Sequence, residues 1–491
     1  MRKSGILLPI SSLDSKYGIG TFSKNAYKFV DFLREAGQSY WQVLPLGPTG
    51  YGDSPYQSFS TFAGNPYFID FDQLIEEGYL TSSDLKLVKK VDNEEYVDYG
   101  YLYSTRYVVL KKAFDNSDIE EDSEFKTFEK ENEYWLDDYA LYMAIKDKMN
   151  GICWTDWEDE YKLRDKTMLA EFSESYRSEI IFYKFQQYIF HKQWISLKEY
   201  ANEKGVKIIG DIPIYVAFDS ADTWSNPELY QFDENCQPIA VAGCPPDAFS
   251  ATGQLWGNPL FDWKYHKETN FKWWLDRIAH CNKLYDVIRI DHFRGFDEYY
   301  SIPFGNETAE NGEWKKGPGI ALFNTIRDEL GDIDVIAEDL GFLTDTVIEL
   351  VEKTGYPGMK VLQFAFDPRE ESDYLPHNYE NNCVVYTGTH DNDTILGWYN
   401  SIAKSDQKFA KDYLGVEKDE EIEWAFIRAA YSSVAGLAII PLQDYLGLGQ
   451  EARINIPSTL GLNWKWRLKK GALTKSLAKR INKLTTLYSR L

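Results

Sequence analysis

Four short stretches of the chain carry residues able to do acid, base or nucleophilic chemistry. They are Gly210-Asp211, Arg289-Ile290-Asp291-His292-Phe293-Arg294-Gly295, Ala337-Glu338-Asp339-Leu340-Gly341 and Thr389-His390-Asp391-Asn392. A fold that brings them together puts three carboxylates, Asp291, Glu338 and Asp391, on one surface with Asp211 beside them. Glycosidic cleavage asks for such a set. One carboxylate is ionised, to attack the anomeric carbon or stabilise an oxocarbenium-like centre, and one carboxylic acid holds the proton for the departing oxygen. Arg289 and Asp291 stand two apart, so on a strand they point to the same side, and a fixed guanidinium favours the ionised form of Asp291. Glu338 is then the proton donor, its proton retained by neighbouring negative charge and partial burial. His292 and His390 adjoin two of the acids in a chain with only 6 histidines, and neutral imidazoles there can hydrogen-bond sugar hydroxyls. His and Asp are also metal ligands, which leaves a metal site as the alternative. No HExxH or close His pair supports it, so the expectation is no metal and no cofactor. Each acid taken singly can equally be a strand-end cap for the following helix.

These residues need strands to hold them. Eight short apolar runs rich in β-branched residues occur at 5–10, 40–46, 206–212, 286–291, 334–338, 359–365, 383–388 and 437–442. Their near-continuous hydrophobicity is the signature of parallel strands buried on both faces. Helical patterns lie between them, for example at 23–36, 270–284, 320–330 and 344–354. Alternating strands and helices imply an α/β fold of βα units, and eight of them a (β/α)8 TIM barrel. In such a barrel chemistry gathers at the C-terminal ends of the strands, where the four stretches fall. Two connections are too long for a simple crossover. Residues 47–205 contain amphipathic stretches at 101–114, 125–147 and 172–204, and are expected to form a mainly helical insertion after the second strand. Residues 213–285 are rich in Pro, Gly and Trp and are expected as a loop-rich insertion after the third, including a candidate lid at 243–259. The chain 1–491 then reads as one catalytic barrel with large subdomains inserted over its C-terminal face.

Composition narrows the partners. A formal charge of −24 disfavours nucleic acid and anionic membrane surfaces but does not repel a neutral polymer. Aromatics make up 16% of the chain, with 15 Trp and 35 Tyr. Most fill cores, yet the surplus suits sugar binding, because rings pack on the apolar face of a pyranose while their polar tips hydrogen-bond. The five cysteines, Cys153, Cys236, Cys244, Cys281 and Cys383, are scattered and odd in number, without a CxxC pair. That implies reduced thiols and a cytoplasmic protein. The apolar run after the N-terminus is broken at Pro9, too soon for a signal peptide, and no stretch has transmembrane length.

RIDHFRG, AEDLG and TGTHDND, in this order and on these strands, resemble the catalytic segments of the α-amylase clan. Longer strings are similar to 4-α-glucanotransferases (amylomaltases) in particular: WQVLPLGPTGYGDSPYQSFSTFAGNPY (41–67), IIGDIPIYVAFDSADTW (208–224), PPDAFSATGQLWGNP (245–259) and PGMKVLQFAFD (357–367). The resemblance runs from the first strand to NWKWR at 463–467, essentially the whole chain. It implies an enzyme, monomer or homodimer, that moves α-1,4-glucan segments to the 4-hydroxyl of glucose or a maltooligosaccharide by retaining double displacement. Matched residue by residue, it implies Asp291 as nucleophile, Glu338 as acid/base and Asp391 as the carboxylate that grips sugar hydroxyls and stabilises the transition state. Asp211, Arg289, His292 and His390 become partners around the sugar being cleaved. Ser54, Tyr56, Gln254, Trp256, Asn258, Phe364 and Asn463 line the glucan groove, and Tyr51 and Tyr103 match a second, remote glucan contact. Ala248 stands where some relatives carry Tyr, so that lid contact to the donor chain is not carried over. Two rivals remain. A hydrolase would use the same three acids, but would make only new reducing ends from maltotriose rather than longer oligosaccharides plus glucose. A non-catalytic glucan binder would have no use for a matched acid and nucleophile.

Overall fold

A computed structural model describes residues 2–50, 52–88, 94–246, 250–341, 343–416 and 421–491. Among them are twelve strands in chain order: β1 (Lys3–Leu7), β2 (Tyr40–Gln42), β3 (Lys207–Pro213), β4 (Ala240–Cys244), β5 (Gln254–Pro259), β6 (Val287–Asp291), β7 (Glu298–Pro303), β8 (Glu313–Lys316), β9 (Val335–Ala337), β10 (Gly358–Val361), β11 (Cys383–Tyr386) and β12 (Leu437–Pro441). Eight of them form one sheet in the order β10-β11-β12-β1-β2-β3-β6-β9, and every pair in it is parallel. The Ala337 N–H donates to the Pro357 carbonyl at 3.0 Å, which joins the end of β9 to the start of β10 and closes the sheet into a barrel. This is the (β/α)8 fold, and each of the eight apolar runs of the sequence overlaps one of its strands.

The reason is burial. Residues such as Ile6, Ile208, Ile209, Ile288, Ile336, Val385 and Ile439 are fully enclosed between the barrel interior and the surrounding helices. Amphipathic helices supply that outer layer. Lys24–Glu35 turns Phe29, Val30 and Leu33 inward and starts at Ser23, whose side chain accepts from the Asn25 N–H at 3.3 Å. Lys272–Leu284, Ile320–Leu330 and Asp345–Thr354 follow the same pattern on the far side.

Between β2 and β3, residues 47–205 hold the helices Tyr99–Asp115, Ser123–Lys148, Lys166–Ser175 and Arg177–Glu203. The long helix Ser123–Lys148 is tied back to the segment after β3 by Lys146, 2.6 Å from Asp219, and by the Tyr142 hydroxyl, also 2.6 Å from Asp219. Between β3 and β6, residues 213–285 hold β4 and β5 as well as turns and short helices. These two strands pair antiparallel in a second sheet of order β5-β4-β7-β8. Gly243 permits the pairing, since a Cβ there would lie 2.2 Å from the Gln254 carbonyl oxygen. No described helix is long and apolar enough to cross a membrane. All five cysteines are free thiols.

Candidate active site

The register of the barrel builds the site. On neighbouring parallel strands Asp211 of β3 stands opposite Arg289 of β6, and Ile290 of β6 stands opposite Ala337 of β9. Asp291 and Glu338 therefore leave their strands side by side. Asp211 and Arg289 are buried beneath the mouth. One guanidinium nitrogen of Arg289, Nη1, donates to both Asp211 oxygens at 2.7 Å, and Nη2 lies 2.9 Å from Asp291 Oδ1. The Tyr56 hydroxyl completes the Asp211 shell at 2.9 Å. Burying three ionised groups is costly unless each is paired and hydrogen-bonded, and here each is.

Glu338 sits differently. Its carboxylate accepts the His292 N–H at 2.7 Å and the Leu340 N–H at 2.9 Å, and no guanidinium touches it. The side chain opens partly onto the mouth while its carboxyl lies deep among protein atoms. Burial first, and the neighbouring Asp291 charge second, push Glu338 up to about 8. Burial also raises Asp291, but Arg289 opposes it directly. Of the pair, the proton belongs on Glu338 and the charge on Asp291. Asp339, next in sequence, has a different use: its Oδ1 accepts the Met359 N–H at 2.7 Å and anchors the start of β10.

His292 adopts a left-handed backbone conformation, φ 53° and ψ 47°. That turn aims its N–H at Glu338 and its ring at Trp256, with centroids 4.8 Å apart and planes at 89°. Burial pushes the imidazole down to about 3, so the ring is neutral at ordinary pH. Its Nε2 is buried with no protein partner. On the opposite wall His390 stacks on Tyr56 at 5.0 Å and lies 3.4 Å from Asp391 Oδ1. The Asn455 amide donates to the same Asp391 oxygen at 2.6 Å. Arg453 ties the two together, donating to the Asn455 carbonyl at 2.8 Å and the Asp391 carbonyl at 2.7 Å.

Asp291, His292, His390, Asp391 and Asn455 border a cleft of about 610 Å³, within the usual range for ligand sites, while Glu338 sits beside it, held by the His292 N–H, and is not among its lining residues. Among the residues singled out from the sequence, Ser54, Tyr56, Gln254, Trp256, Asn258, Asp291, His292, His390 and Asp391 line it. Gln57, Tyr215, Pro457, Ser458, Asn455 and Trp464 line it too and were not singled out. Two residues expected to line the groove also hold structural bonds. Asn258 donates to the Val216 carbonyl at 2.7 Å and accepts from Gln57 at 3.1 Å. Asn463 accepts the Ile456 N–H at 3.0 Å and donates to the Thr459 carbonyl at 2.9 Å, which makes it the clamp of the loop 456–463. Phe364, on the turn Leu362–Phe364 after β10, is 38% exposed and packs edge-on against Tyr374. Tyr103 is 72% exposed on the helix Tyr99–Asp115, away from the cleft residues. Tyr51 and Ala248 lie outside the described residues, as do 247–249 of the stretch 243–259. Within the stretch, Gly243 and Cys244 end β4 and Gln254–Pro259 form β5, an antiparallel pair whose second strand walls the cleft. No group of three or more His, Cys, Asp or Glu suited to a metal ion occurs among the described residues.

The arrangement can hold a nucleophilic carboxylate and a protonated carboxyl on either side of a scissile glycosidic bond, with a third carboxylate close by. Comparisons with known proteins point the same way. Residues 8–474 match the family described as 4-alpha-glucanotransferase. The chain is 52% identical over 483 residues to a 4-alpha-glucanotransferase of Clostridium butyricum, covering 98% of this chain and 99% of the relative. It is 45% identical over 501 residues to that of Thermus thermophilus, covering 100% and 99%. An amylomaltase from Streptococcus agalactiae in complex with acarbose shares the structure at a TM-score of 0.97 and 42% identity, with 100% of both chains covered.

Proposed function

The chain belongs to the 4-alpha-glucanotransferase family and transfers α-1,4-glucan segments between saccharides, and within that activity we propose that Asp291 is the nucleophile, Glu338 the acid and base, and Asp391 the carboxylate that grips the reacting sugar. The observation that carries this assignment is the contrast between the two neighbouring acids. Asp291 has Arg289 at 2.9 Å, whereas Glu338 has, among the described residues, two backbone N–H donors and is pushed up to about 8.

In the first step an Asp291 oxygen bonds to C1 of the donor glucose. The bond from C1 to the 4-oxygen of the next sugar breaks, and that oxygen takes the Glu338 proton. In the second step the 4-hydroxyl oxygen of an acceptor bonds to C1, its proton passes to Glu338, and the bond from C1 to Asp291 breaks. Two inversions restore the α configuration. Asp391, oriented by Asn455 and Arg453, holds sugar hydroxyls while positive charge develops at C1. The hairpin of β4 and β5 acts as the lid over the cleft, and by excluding water it favours a saccharide acceptor over hydrolysis. Donors and acceptors are α-1,4-glucans, maltooligosaccharides and glucose. The reaction runs in the cytoplasm, in keeping with five unpaired cysteines.

The test is an activated α-glycosyl fluoride, whose leaving group needs little proton assistance. With Glu338→Gln the glycosyl enzyme forms, is slow to break down, and appears as a mass increase localised to Asp291. Asp291→Asn forms no adduct. An adduct on Asp291→Asn and none on Glu338→Gln reverses the two roles, and inversion by the wild type removes the double displacement.

A further inference from the structure

The segment that carries His390 and Asp391 runs from Thr387, just past β11, to Ile395, the first residue of the helix Ile395–Ser401. One side chain holds both ends. Asp444 Oδ2 accepts from the Thr387 hydroxyl at 2.6 Å, and Asp444 Oδ1 accepts from the Ile395 N–H at 2.8 Å. Asp444 is 2% exposed, on the short helix Leu442–Tyr445 that follows β12.

The Ile395 N–H is one of the donors that a helix start leaves without an intrahelical partner. The segment's own caps do not serve it, because the Thr394 hydroxyl accepts from Gly397 and the Asp393 carboxylate from Thr394. The neighbouring Gln443 donates to the Ala452 carbonyl at 3.2 Å, one residue before Arg453. Arg453 and Asn455 are the residues that bond Asp391 from the other side. The tip of β12 therefore brackets both segments that meet at Asp391, although neither Gln443 nor Asp444 lines the cleft.

We propose that Asp444 is a positioning residue for the transfer reaction, fixing Asp391 and His390 by clasping the two ends of the segment 387–395. This rests on the reading of Asp391 as the carboxylate that grips the sugar. Removing the clasp frees the segment at both ends, and a shift of about 1 Å in a catalytic group can cost roughly 10²-fold in rate.

The experiment is a double-mutant cycle with Asp391→Asn, measuring kcat and KM for maltotriose disproportionation and the apparent Tm of every variant. Asp444→Ala lowers kcat by roughly 10²-fold, with less change in KM. Asp444→Asn keeps an oxygen for the Ile395 N–H and turns an amide N–H to the Thr387 hydroxyl oxygen, so it restores most of the loss. In the Asp391→Asn background Asp444→Ala costs less than about threefold, because a grip already removed cannot be lost again. Equal penalties in both backgrounds, or a loss that only follows the fraction unfolded, overturn the proposal. Wild-type turnover in Asp391→Asn removes the reading of Asp391 and this inference with it. An Asp391→Asn that is much slower but measurable, with multiplying penalties, removes this inference alone. If Asp444→Ala does not fold, Thr387→Val takes its place in the cycle, deleting one bond of the clasp while keeping the side-chain shape.

Discussion

Arg289 and Asp211 face each other across β3 and β6, and the bond of one guanidinium nitrogen to both Asp211 oxygens leaves the other nitrogen free for Asp291 at 2.9 Å. A lysine is a point charge without this fork and cannot serve both acids in that geometry. Arg289→Lys is therefore expected to lower kcat/KM for maltotriose on the order of 10²–10³-fold, the range for losing one preorganised electrostatic contact. The acidic limb of its pH profile moves upward, since an ammonium held on Asp211 no longer sits against Asp291 and favours its ionised form less. An unchanged limb would separate Arg289 from the state of Asp291.

The basic limb reports Glu338. The acid must carry its proton to assist the leaving sugar, and it is pushed up to about 8. In the wild type kcat/KM falls as pH rises through that value. In Glu338→Gln the remaining activity, roughly 10²–10⁴-fold lower, shows no such fall. A titration of kcat/KM for both proteins over the neutral and alkaline range checks this.

The same displacement makes Glu338 a cost to stability. Its value is about 8 folded against 4.5 as an ordinary glutamate. The folded state thus binds the proton more tightly, and stability declines as pH rises between those values. Gln carries no charge to bury. Glu338→Gln is expected to melt with the wild type in acid, below both values, and higher than the wild type at pH about 8, by roughly 2 °C. Parallel thermal scans at the two pH values decide it, and a constant difference would mean the carboxyl titrates in the fold as it does in the unfolded chain.

Asn455 supplies the shortest contact to Asp391, at 2.6 Å. Asn455→Ala leaves that oxygen without its donor and is expected to cost about tenfold in kcat. Asn455→Asp sets two carboxylates against each other and costs on the order of 10²-fold or more. Steady-state kinetics with maltotriose and unchanged circular dichroism would separate this from misfolding.

The barrel was legible because its strands are enclosed on both faces and so read as continuous apolar runs, even β2 and β9 at three residues each. Asp211, Arg289, Asp291, Glu338 and Asp391 were legible because strand ends announce where polar residues gather. Asn455 and Arg453 were not, since they follow the last strand in a segment without periodicity or a run of charge. Trp464 stands inside a string similar to a known family, yet a Trp there reads equally as core. Asn258 and Asn463 carry bonds that the sequence does not announce, Asn258 to the Val216 carbonyl and Gln57, Asn463 to Ile456 and Thr459. The antiparallel sheet of β4, β5, β7 and β8 escaped notice because its strands are short and partly exposed, with Gly243 and Gly257 interrupting any apolar run.

That sheet also decides where this enzyme can change over evolutionary time. β5 presents Gln254, Leu255, Trp256 and Asn258 to the cleft, so one inserted or deleted residue within the strand would move Trp256 away from His292 and displace the whole wall. The pairing of Gly243 with Leu255 and the contact of Trp256 with His292 hold that strand in place. Relatives that differ in how they discriminate between acceptors are thus expected to keep it unaltered in length.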